Sequence, residues 1–304
     1  MSFQIETAHV QAYHANINLL SQQMGSRLAG NVRRETQSAK YDYYDRVDAT
    51  AAVEVTTRHG DTPLVSTTHD RRRVGLRDFD WADLIDKRDR IRLLSDPSAA
   101  YTLNALAALG RSKDQVIIDA AFGTAYTGET GASSVSSGWG EVAVDYVESG
   151  GVTASNLTIG KLRQARSILG RNEAISQVMG GDGQLVDEPL IAVVKQYQLD
   201  SLLRSPEITS GDFNVVKALV DGKVDTFMGF KFKRTELLST TANVTDCIFY
   251  AQSGILLATG MEVATDIGPR RDKRNAVQVY VCGSFGAVRM EEKKVVRVKC
   301  NDTL

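Results

Sequence analysis

The chain of 304 residues is poor in cysteine, histidine and proline, with three, four and five of them. Cys247, Cys282 and Cys300 show no CxxC spacing and lie in apolar or terminal contexts, so we expect buried, reduced thiols and no zinc site. No run approaches the roughly 18 apolar residues of a membrane span, and the N-terminus lacks the pattern of a signal peptide. The composition therefore predicts a soluble protein, made inside the cell and independent of disulfides.

The chain also lacks an excess of charge of either sign, since 36 basic residues face 37 acidic ones. A dedicated nucleic-acid-binding domain would be strongly basic, so we expect any contact with nucleic acid to be local. No low-complexity block or fixed-period repeat is visible. The length allows one large core or two modest ones.

Motifs for catalysis are missing as well. The glycine loop VMGGDGQL has no GK[ST] ending and no evident leading strand, so it indicates a flexible loop instead of a phosphate cradle. Ser284, in GSFG, has no histidine near it in the sequence. His69 and Asp70 could bind a metal, but a solvated loop pair is favoured. We therefore predict no catalytic residue, no cofactor and no metal.

What the sequence does contain is one long, well-signalled helix over about residues 97–122. Asp96 can cap its first turn, Pro97 suits the first helical position, and Gly123 can take a left-handed conformation at its end. Gly110 interrupts the helix at a cost of about 1 kcal/mol, so it marks a bend or a close neighbouring backbone. Apolar residues recur at steps of three and four along a predicted buried stripe: Leu103, Leu106, Ala107, Ile117 and Ala121.

Two segments before this helix cannot bury themselves. The first 40 residues carry only a weak apolar stripe, and short isolated helices are marginal in water. Residues 51–76 place β-branched residues on both sides of HGDTP, which predicts a long hairpin with two polar faces. Both segments need a partner surface. A short amphipathic helix should follow from Asp78, with four residues on one side: Trp81, Leu84, Ile85 and Ile91.

The second half of the chain contains sequence patterns of both helices and strands. A loose stretch over 127–141 precedes a helix near 153–169 that Gly170 should close. A buried strand over 190–194 precedes the short helix YQLDSLL. Strand patterns dominate after Val224, which gives an α+β fold class.

Charged clusters have several possible partners. The basic runs Arg71 to Arg73 and Arg270 to Arg274 could contact phosphates or a neighbour's acidic surface, or be solvated. The acidic pair Glu291 and Glu292 has basic neighbours, so we expect surface ion pairs there.

The order of these elements resembles the major capsid proteins of tailed bacteriophages, the Hong Kong 97-type coat fold. PSAAYTLNALAALGRSKDQVIIDAAFGTAYTG is similar to that family's spine helix and glycine loop, and LIAVVKQYQLDSLL to its strand and short helix. DTFMGFKFKRTELL and the tail from Cys247 to Cys300 are similar to its later strands. The shared order extends over about 200 residues, which unrelated chains seldom repeat.

The resemblance implies a coat protein whose hexamers and pentamers form an icosahedral virion shell around double-stranded DNA, assembled in the host cytoplasm without enzymatic activity. Its partners would be other copies of the chain, a portal, a scaffolding protein and DNA, which is contacted locally and non-specifically. The scaffolding protein is expected to be a separate chain, because no long charged segment precedes the arm. No membrane is expected. It also implies four parts: an N-terminal arm at 1–40, an E-loop hairpin at 41–78 lying on a neighbour, a P-domain at 79–150 and 262–304 containing the spine helix, and an A-domain at 151–261.

One departure concerns crosslinking. Some family members join an E-loop lysine to an asparagine of a neighbour, but no lysine lies between Tyr41 and Asp86 here. The resemblance therefore implies noncovalent contacts or a separate cementing protein. Arginine can pair bidentately with carboxylates of the next subunit, and the hairpin offers five candidates for intersubunit contact: Arg58, Arg71, Arg72, Arg73 and Arg77.

Two alternatives stay open at this point. A cellular nanocompartment shell has a similar fold but encloses enzymes instead of DNA. A small-molecule enzyme with VMGGDGQL as its site is a third hypothesis, although it lacks a named nucleophile, base or metal set.

Overall fold

The computed structural model describes residues 20–54, 56, 60–86, 98–136, 140–148, 150–151, 153–175, 177–179, 185–204 and 226–303. Its α-helices are α1 (Ser98–Phe122), α2 (Ile159–Arg171) and α3 (Gln196–Arg204). The strands are β1 (Arg33–Thr36), β2 (Tyr41–Val47), β3 (His69–Gly75), β4 (Arg77–Ile85), β5 (Ala125–Thr127), β6 (Ser133–Val135), β7 (Glu141–Val142), β8 (Gln177–Met179), β9 (Leu185–Asp187), β10 (Leu190–Val194), β11 (Thr226–Phe227), β12 (Phe230–Arg234), β13 (Thr240–Thr241), β14 (Val244–Ala251), β15 (Ile255–Arg270), β16 (Ala276–Arg289) and β17 (Val295–Asn301). The predicted α+β class is confirmed.

The strands form four sheets. Their orders are β1-β15-β16-β4, β11-β12-β10-β14-β17-β7 with β13 added to β14, β2-β3-β5-β6, and β8-β9. In the largest sheet β10 is buried at every residue and runs parallel to β12 and antiparallel to β14. A strand with both faces covered reads as a continuous apolar run, which is why LIAVV was recognisable in the sequence.

The chain divides into two compact units. The first contains residues 1–26, 78–112 and 261–284, and the second contains 27–77, 113–260 and 285–304. The predicted division into arm, E-loop, P-domain and A-domain stays a prediction.

In the first unit, Gly110 of α1 lies against the chain at Gly25. A Cβ at position 110 would stand 2.5 Å from the carbonyl carbon of Gly25 and 2.8 Å from the nitrogen of Ser26. The predicted close neighbouring backbone is confirmed. The predicted apolar stripe is confirmed in part: Leu103 and Leu106 are exposed, whereas the other three predicted residues, Ala107, Ile117 and Ala121, are buried.

The described part of the segment after Asp78 belongs to strand β4, not to the short helix that we predicted, and Ile91 of that prediction lies outside the described residues. Half-buried Phe79 and Trp81 alternate with exposed Asp78 and Asp80. This period of two belongs to a strand with one covered face. Neighbours in the sheet therefore decide the structure over a weak helical pattern.

In the second unit, helix α2 carries a buried lysine. Lys161 Nζ donates hydrogen bonds to the carbonyl oxygens of Val144 at 2.9 Å, Ser155 at 2.6 Å and Lys299 at 2.9 Å. Burial lowers the pKa of Lys161, and nearby thiols and a carboxylate act in the opposite direction. Three carbonyl partners match the three donors of the ammonium group, so its desolvation is compensated.

Two glycines expected to end helices act differently. Gly170 lies inside the last turn of α2, and the left-handed residue beyond the helix is Glu173, with φ 52°. Gly123 does not take a positive φ; its amide donates to Asp119 O at 2.7 Å, and a Cβ there would stand 2.6 Å from that oxygen. Close approach, not left-handed backbone, requires glycine at this position.

Some of the remaining predictions concern residues that the structure describes, and others concern residues outside them. The strands expected after Val224 are present, and all three cysteines are buried and free. Strand β8 does lead into the loop of VMGGDGQL, contrary to our expectation, while the glycines of that loop lie outside the described residues. Asp96 and Pro97 also lie outside them.

Candidate assembly surface at the hairpin

The predicted hairpin is paired only at its base. Strands β2 and β3 are antiparallel, with Tyr41 opposite Gly75 and Val47 opposite His69. The described residues between 48 and 68 contain no strand, so the prediction of strands around HGDTP is wrong in extent. A two-stranded ribbon with polar faces gains little from pairing alone, which agrees with the end of the ladder at Val47 and His69. We call residues 48–68 the hairpin tip.

The hairpin tip exposes apolar side chains. Leu64 is 95% exposed and Val53 is 56% exposed. Exposed single apolar residues are ordinary, but β-branched sequence without a strand partner in the described part of the chain leaves this surface accessible to a partner.

A buried network fixes the base of the hairpin. Arg72 is fully buried, and its Nη2 donates to Glu292 Oε1 at 2.7 Å. The same carboxylate lies 3.8 Å from Arg289 Nε and 3.6 Å from Arg46 Nη1. Burial lowers the pKa of Arg72 and Arg289, and the charge of Glu292 opposes this effect. Glu292 is therefore a structural ion-pair centre, which corrects our expectation of a surface pair.

Arg289 also satisfies the end of α1. Its Nη1 donates to the carbonyl oxygens of Ala121 at 2.9 Å and Gly123 at 3.0 Å, and its Nη2 donates to Val135 O at 3.3 Å. The last carbonyls of a helix lack helical partners and carry a partial negative charge. The arginine supplies both hydrogen bonds and charge at this end.

Asp70 is the second acceptor at the hairpin base. Its carboxylate accepts hydrogen bonds from Thr127 Oγ1 at 2.6 Å, from the amide of Arg71 at 2.8 Å and from Arg46. Burial alone would raise the pKa of Asp70, but these hydrogen bonds and the charge of Arg46 outweigh it and hold that pKa well below the ordinary range. Asp70 therefore stays ionised and joins the hairpin to β5.

The five predicted contact arginines have different surroundings. Arg58 lies outside the described residues, and Arg72 is engaged inside its own chain, which removes it from the surface. Arg71 pairs with Asp45 at 2.8 Å and Arg77 with Asp119 at 3.6 Å, both in exposed positions.

Arg73 is held differently, by two aromatic rings. Its guanidinium carbon lies 4.5 Å from the ring centroid of Tyr126 and 5.0 Å from that of Tyr41. A groove of about 620 Å³ opens beside it, with a wall that includes Leu76 and Val116. The alternating tyrosines of β2 could have predicted one of the two rings that contact Arg73. Tyr126 is distant in sequence, and only the pairing of β3 with β5 brings its ring to Arg73.

Neither a membrane-spanning helix nor a cluster of metal-ligating side chains occurs among the described residues. No described helix is long and apolar enough to cross a membrane. The described residues contain no group of three or more His, Cys, Asp or Glu side chains able to hold a metal ion. His69 and Asp70 lie in β3, so the expected solvated loop pair is wrong, and the Asp70 carboxylate is taken up by Thr127 and Arg46.

The α+β fold and the hairpin, whose tip has no strand partner in the described ranges, can be compared with known proteins. Solved structures agree over nearly the whole chain: the head of Helicobacter pylori bacteriophage KHP40 (TM-score 0.71, 9% identity, 99% of this chain and 98% of that one), the capsid of cyanophage P-SCSP1u (0.69, 11%, 97% and 93%) and that of cyanophage Pam1 (0.68, 12%, 99% and 99%). The curated proteins contain no match.

The profile of the phage capsid protein family matches residues 5–302. The chain therefore belongs to the phage capsid protein family and is a major capsid protein, and its fold is similar to that of the phage capsids compared above. The nanocompartment alternative is not favoured, because the matched family and these similar structures are phage capsids.

Proposed function

We propose that copies of this chain assemble as hexamers and pentamers into an icosahedral shell around double-stranded DNA, with the hairpin as a clamp between subunits. The observation that supports the clamp is the contrast within the hairpin. Its base is fixed by buried Arg72 and by Asp70, while its tip exposes Leu64 and has no strand partner in the described ranges. A rigid base with an unsatisfied tip suits a contact made outside the subunit.

The role is structural, and the shell is held noncovalently. The absence of lysine between Tyr41 and Asp86 supports this, because an isopeptide needs an amine that arginine cannot replace. Arg58, Arg71, Arg73 and Arg77 stay proposed contacts with neighbouring carboxylates. A separate scaffolding protein, a portal and a cementing protein are the proposed partners, with DNA touched locally and assembly in the host cytoplasm.

A tip deletion tests the clamp. Asp48 N donates to Thr68 O at 3.1 Å, so an Asn-Gly turn replacing residues 49–67 can close the ladder without disturbing β3. We expect an unchanged circular dichroism spectrum and unfolding midpoint but no closed shells in electron micrographs. The matched control, Arg163→Gln on the exposed face of α2, should form shells. Normal shells from the tip deletion would contradict the clamp.

A further inference from the structure

We propose that the groove beside Arg73 receives a carboxylate from the hairpin tip of a second copy of the chain. The inference rests on the proposed assembly through the hairpin and assigns the receiving surface, which assembly alone does not specify. Three observations support it: the lack of a hydrogen bond or ion pair to Arg73 among the described residues, the shape of its surroundings, and the direction in which the tip leaves the subunit.

Arg73 differs from the other arginines of the hairpin base. Arg46 pairs with Asp70, Arg71 with Asp45, Arg72 with Glu292, and Arg77 with Asp119. The guanidinium of Arg73 has no hydrogen bond or ion pair within the described ranges, and its contacts there are the two tyrosine rings. Asp119 also lines the groove, but it is engaged by Arg77 and by Gln115 at 2.9 Å. One positive charge in the groove is thus left for an outside anion.

The surroundings hold the guanidinium ready for such an anion. Rings packed against the guanidinium leave N–H groups free at its edge, where a carboxylate can accept two parallel hydrogen bonds. Gly131 makes room for the side chain, since a Cβ there would stand 2.7 Å from Arg73 Cδ. An arginine already fixed in place loses little entropy when it binds.

The groove has an apolar part beside its polar atoms. Its wall includes Leu76, Val116, Ala120 and Val288 beside the charged group. The hairpin tip offers matching chemistry, with Glu54 next to Val53 and Asp61 two residues before Pro63. Both carboxylates are exposed, and the described residues contain no ion pair to either. Charge and apolar character are therefore complementary between tip and groove.

The direction of the ladder favours a second copy as the source of the tip. Tyr41, on the groove wall, pairs with Gly75 at one end of the ladder, and the tip leaves after Val47 and His69 at the other. Six residues of strand separate the two ends by about 20 Å. The tip of the same chain would have to fold back along its own strands, whereas the tip of a neighbour can approach the groove directly.

Charge reversal tests the contact in the full-length chain. Arg73→Gln should raise the critical concentration for assembly about tenfold or more, and Arg73→Glu further, because a charge-assisted hydrogen bond is lost. Arg163→Gln, whose arginine pairs with Glu148 on α2, is the matched control and should leave that concentration unchanged. Combining Arg73→Glu with Glu54→Arg or with Asp61→Arg should restore assembly in one of the two pairs.

Mixing separates a second copy from the same chain. Arg73→Glu subunits mixed with subunits carrying the rescuing tip reversal should co-assemble, because each contact between unlike copies regains opposite charges. A contact within one chain cannot be restored by mixing. Rescue in the double variant without co-assembly would therefore overturn the second-copy assignment, and rescue in neither double variant would overturn the carboxylate.

A peptide-binding experiment tests the groove without assembly. It also tests the proposal if the Arg73 variants fail to fold. A fluorescent peptide of residues 48–68 should bind the wild-type chain, and its Glu54→Gln, Asp61→Asn version should bind at least about tenfold more weakly. Equal binding of the two peptides, or no binding, would contradict the groove. Wild-type subunits that form shells while the groove tests fail would leave the proposed function standing; wild-type subunits that never associate would contradict the function itself.

Discussion

Gly110 packs directly on the backbone of Gly25, with room for hydrogen but not for a methyl group at position 110. The nearest carbon of Gly25 would lie 2.5 Å from an added Cβ, so the backbone itself would have to move. The conformational cost of glycine inside a helix is thus offset by a contact that no other residue permits.

The first prediction follows from this contact. Gly110→Ala should lower the free energy of unfolding, because overpacking costs about 1–3 kcal/mol and the gain in helix propensity is only about 1 kcal/mol. Urea unfolding measures the difference. Gly170→Ala is the matched control: its Cβ would meet nothing within 4 Å inside α2, so it should stabilise by up to about 1 kcal/mol. A stabilised Gly110→Ala variant would disprove the contact.

The second prediction compares two neighbouring glutamates. Glu292→Gln leaves the buried guanidinium groups of Arg72 and Arg289 without their carboxylate, which should cost about 3–5 kcal/mol of unfolding free energy. Glu291→Gln removes a half-exposed partner of Lys294 and should cost less than about 1 kcal/mol. Similar losses for the two variants would show that Glu292 is not the centre of the network.

The third prediction concerns acid. The folded pKa of Asp70 lies below the value of about 3.9 for an unfolded aspartate, so its contribution to stability is fully present above the unfolded pKa. It is lost as the pH falls through the folded pKa. Asp70→Asn should therefore be less stable than wild type at pH 7, and its stability should fall less steeply below about pH 4. Chemical unfolding between pH 7 and pH 2 would reveal equal slopes if this account were wrong.

The variant Thr127→Val should change the acid dependence of stability in the same way but to a smaller extent, because it removes one of the hydrogen bonds to Asp70. The hydroxyl donates to the ionised carboxylate of Asp70 at 2.6 Å, so its removal should raise the folded pKa of Asp70. We expect the acid-induced loss of stability to begin near the same unfolded pKa as in wild type, but to be smaller and to end at a higher pH. Thr303→Val, at an exposed hydroxyl near the C-terminus, is the control and should leave the acid profile unchanged.

The sequence was sufficient for the elements with strong local signals. The long helix, the buried strand β10 and the late strands were predicted because each carries its own periodicity or apolar run. Of the hairpin predicted over 51–76, only β3 was placed correctly, because its partner β2 lies before that range. The hairpin tip was misread, since β-branched residues indicate a strand but cannot supply the strand beside it.

Contacts between residues distant in sequence could not be predicted from local sequence patterns. Arg72, Arg73 and Arg77 look alike in the sequence, but one is buried on Glu292, one lies between tyrosines, and one pairs with Asp119 on α1. Register decides which side of β3 Arg72 and Arg73 occupy, Arg77 begins the next strand, and long-range packing decides what each arginine contacts. Only the folded chain separates a structural arginine from a candidate contact.

The fourth prediction is that the shell contains no covalent crosslinks. Mature particles boiled in detergent should give one band near the chain mass of 33.2 kDa. Charge reversal at Arg71 and Arg73 should make the particles dissociate at lower salt, because screening weakens what pairing remains. A ladder of higher oligomers would show that a lysine outside the hairpin, such as Lys40 or Lys87, forms crosslinks.

Electron microscopy of the purified chain tests the central claim most directly. A major capsid protein whose arm and hairpin are completed by neighbours should appear as hexameric and pentameric rings or closed shells, alone or with its scaffolding protein. Particles of this kind are the result that the account predicts. Only compact monomers, under all conditions of salt, pH and concentration and with the scaffold present, would contradict it.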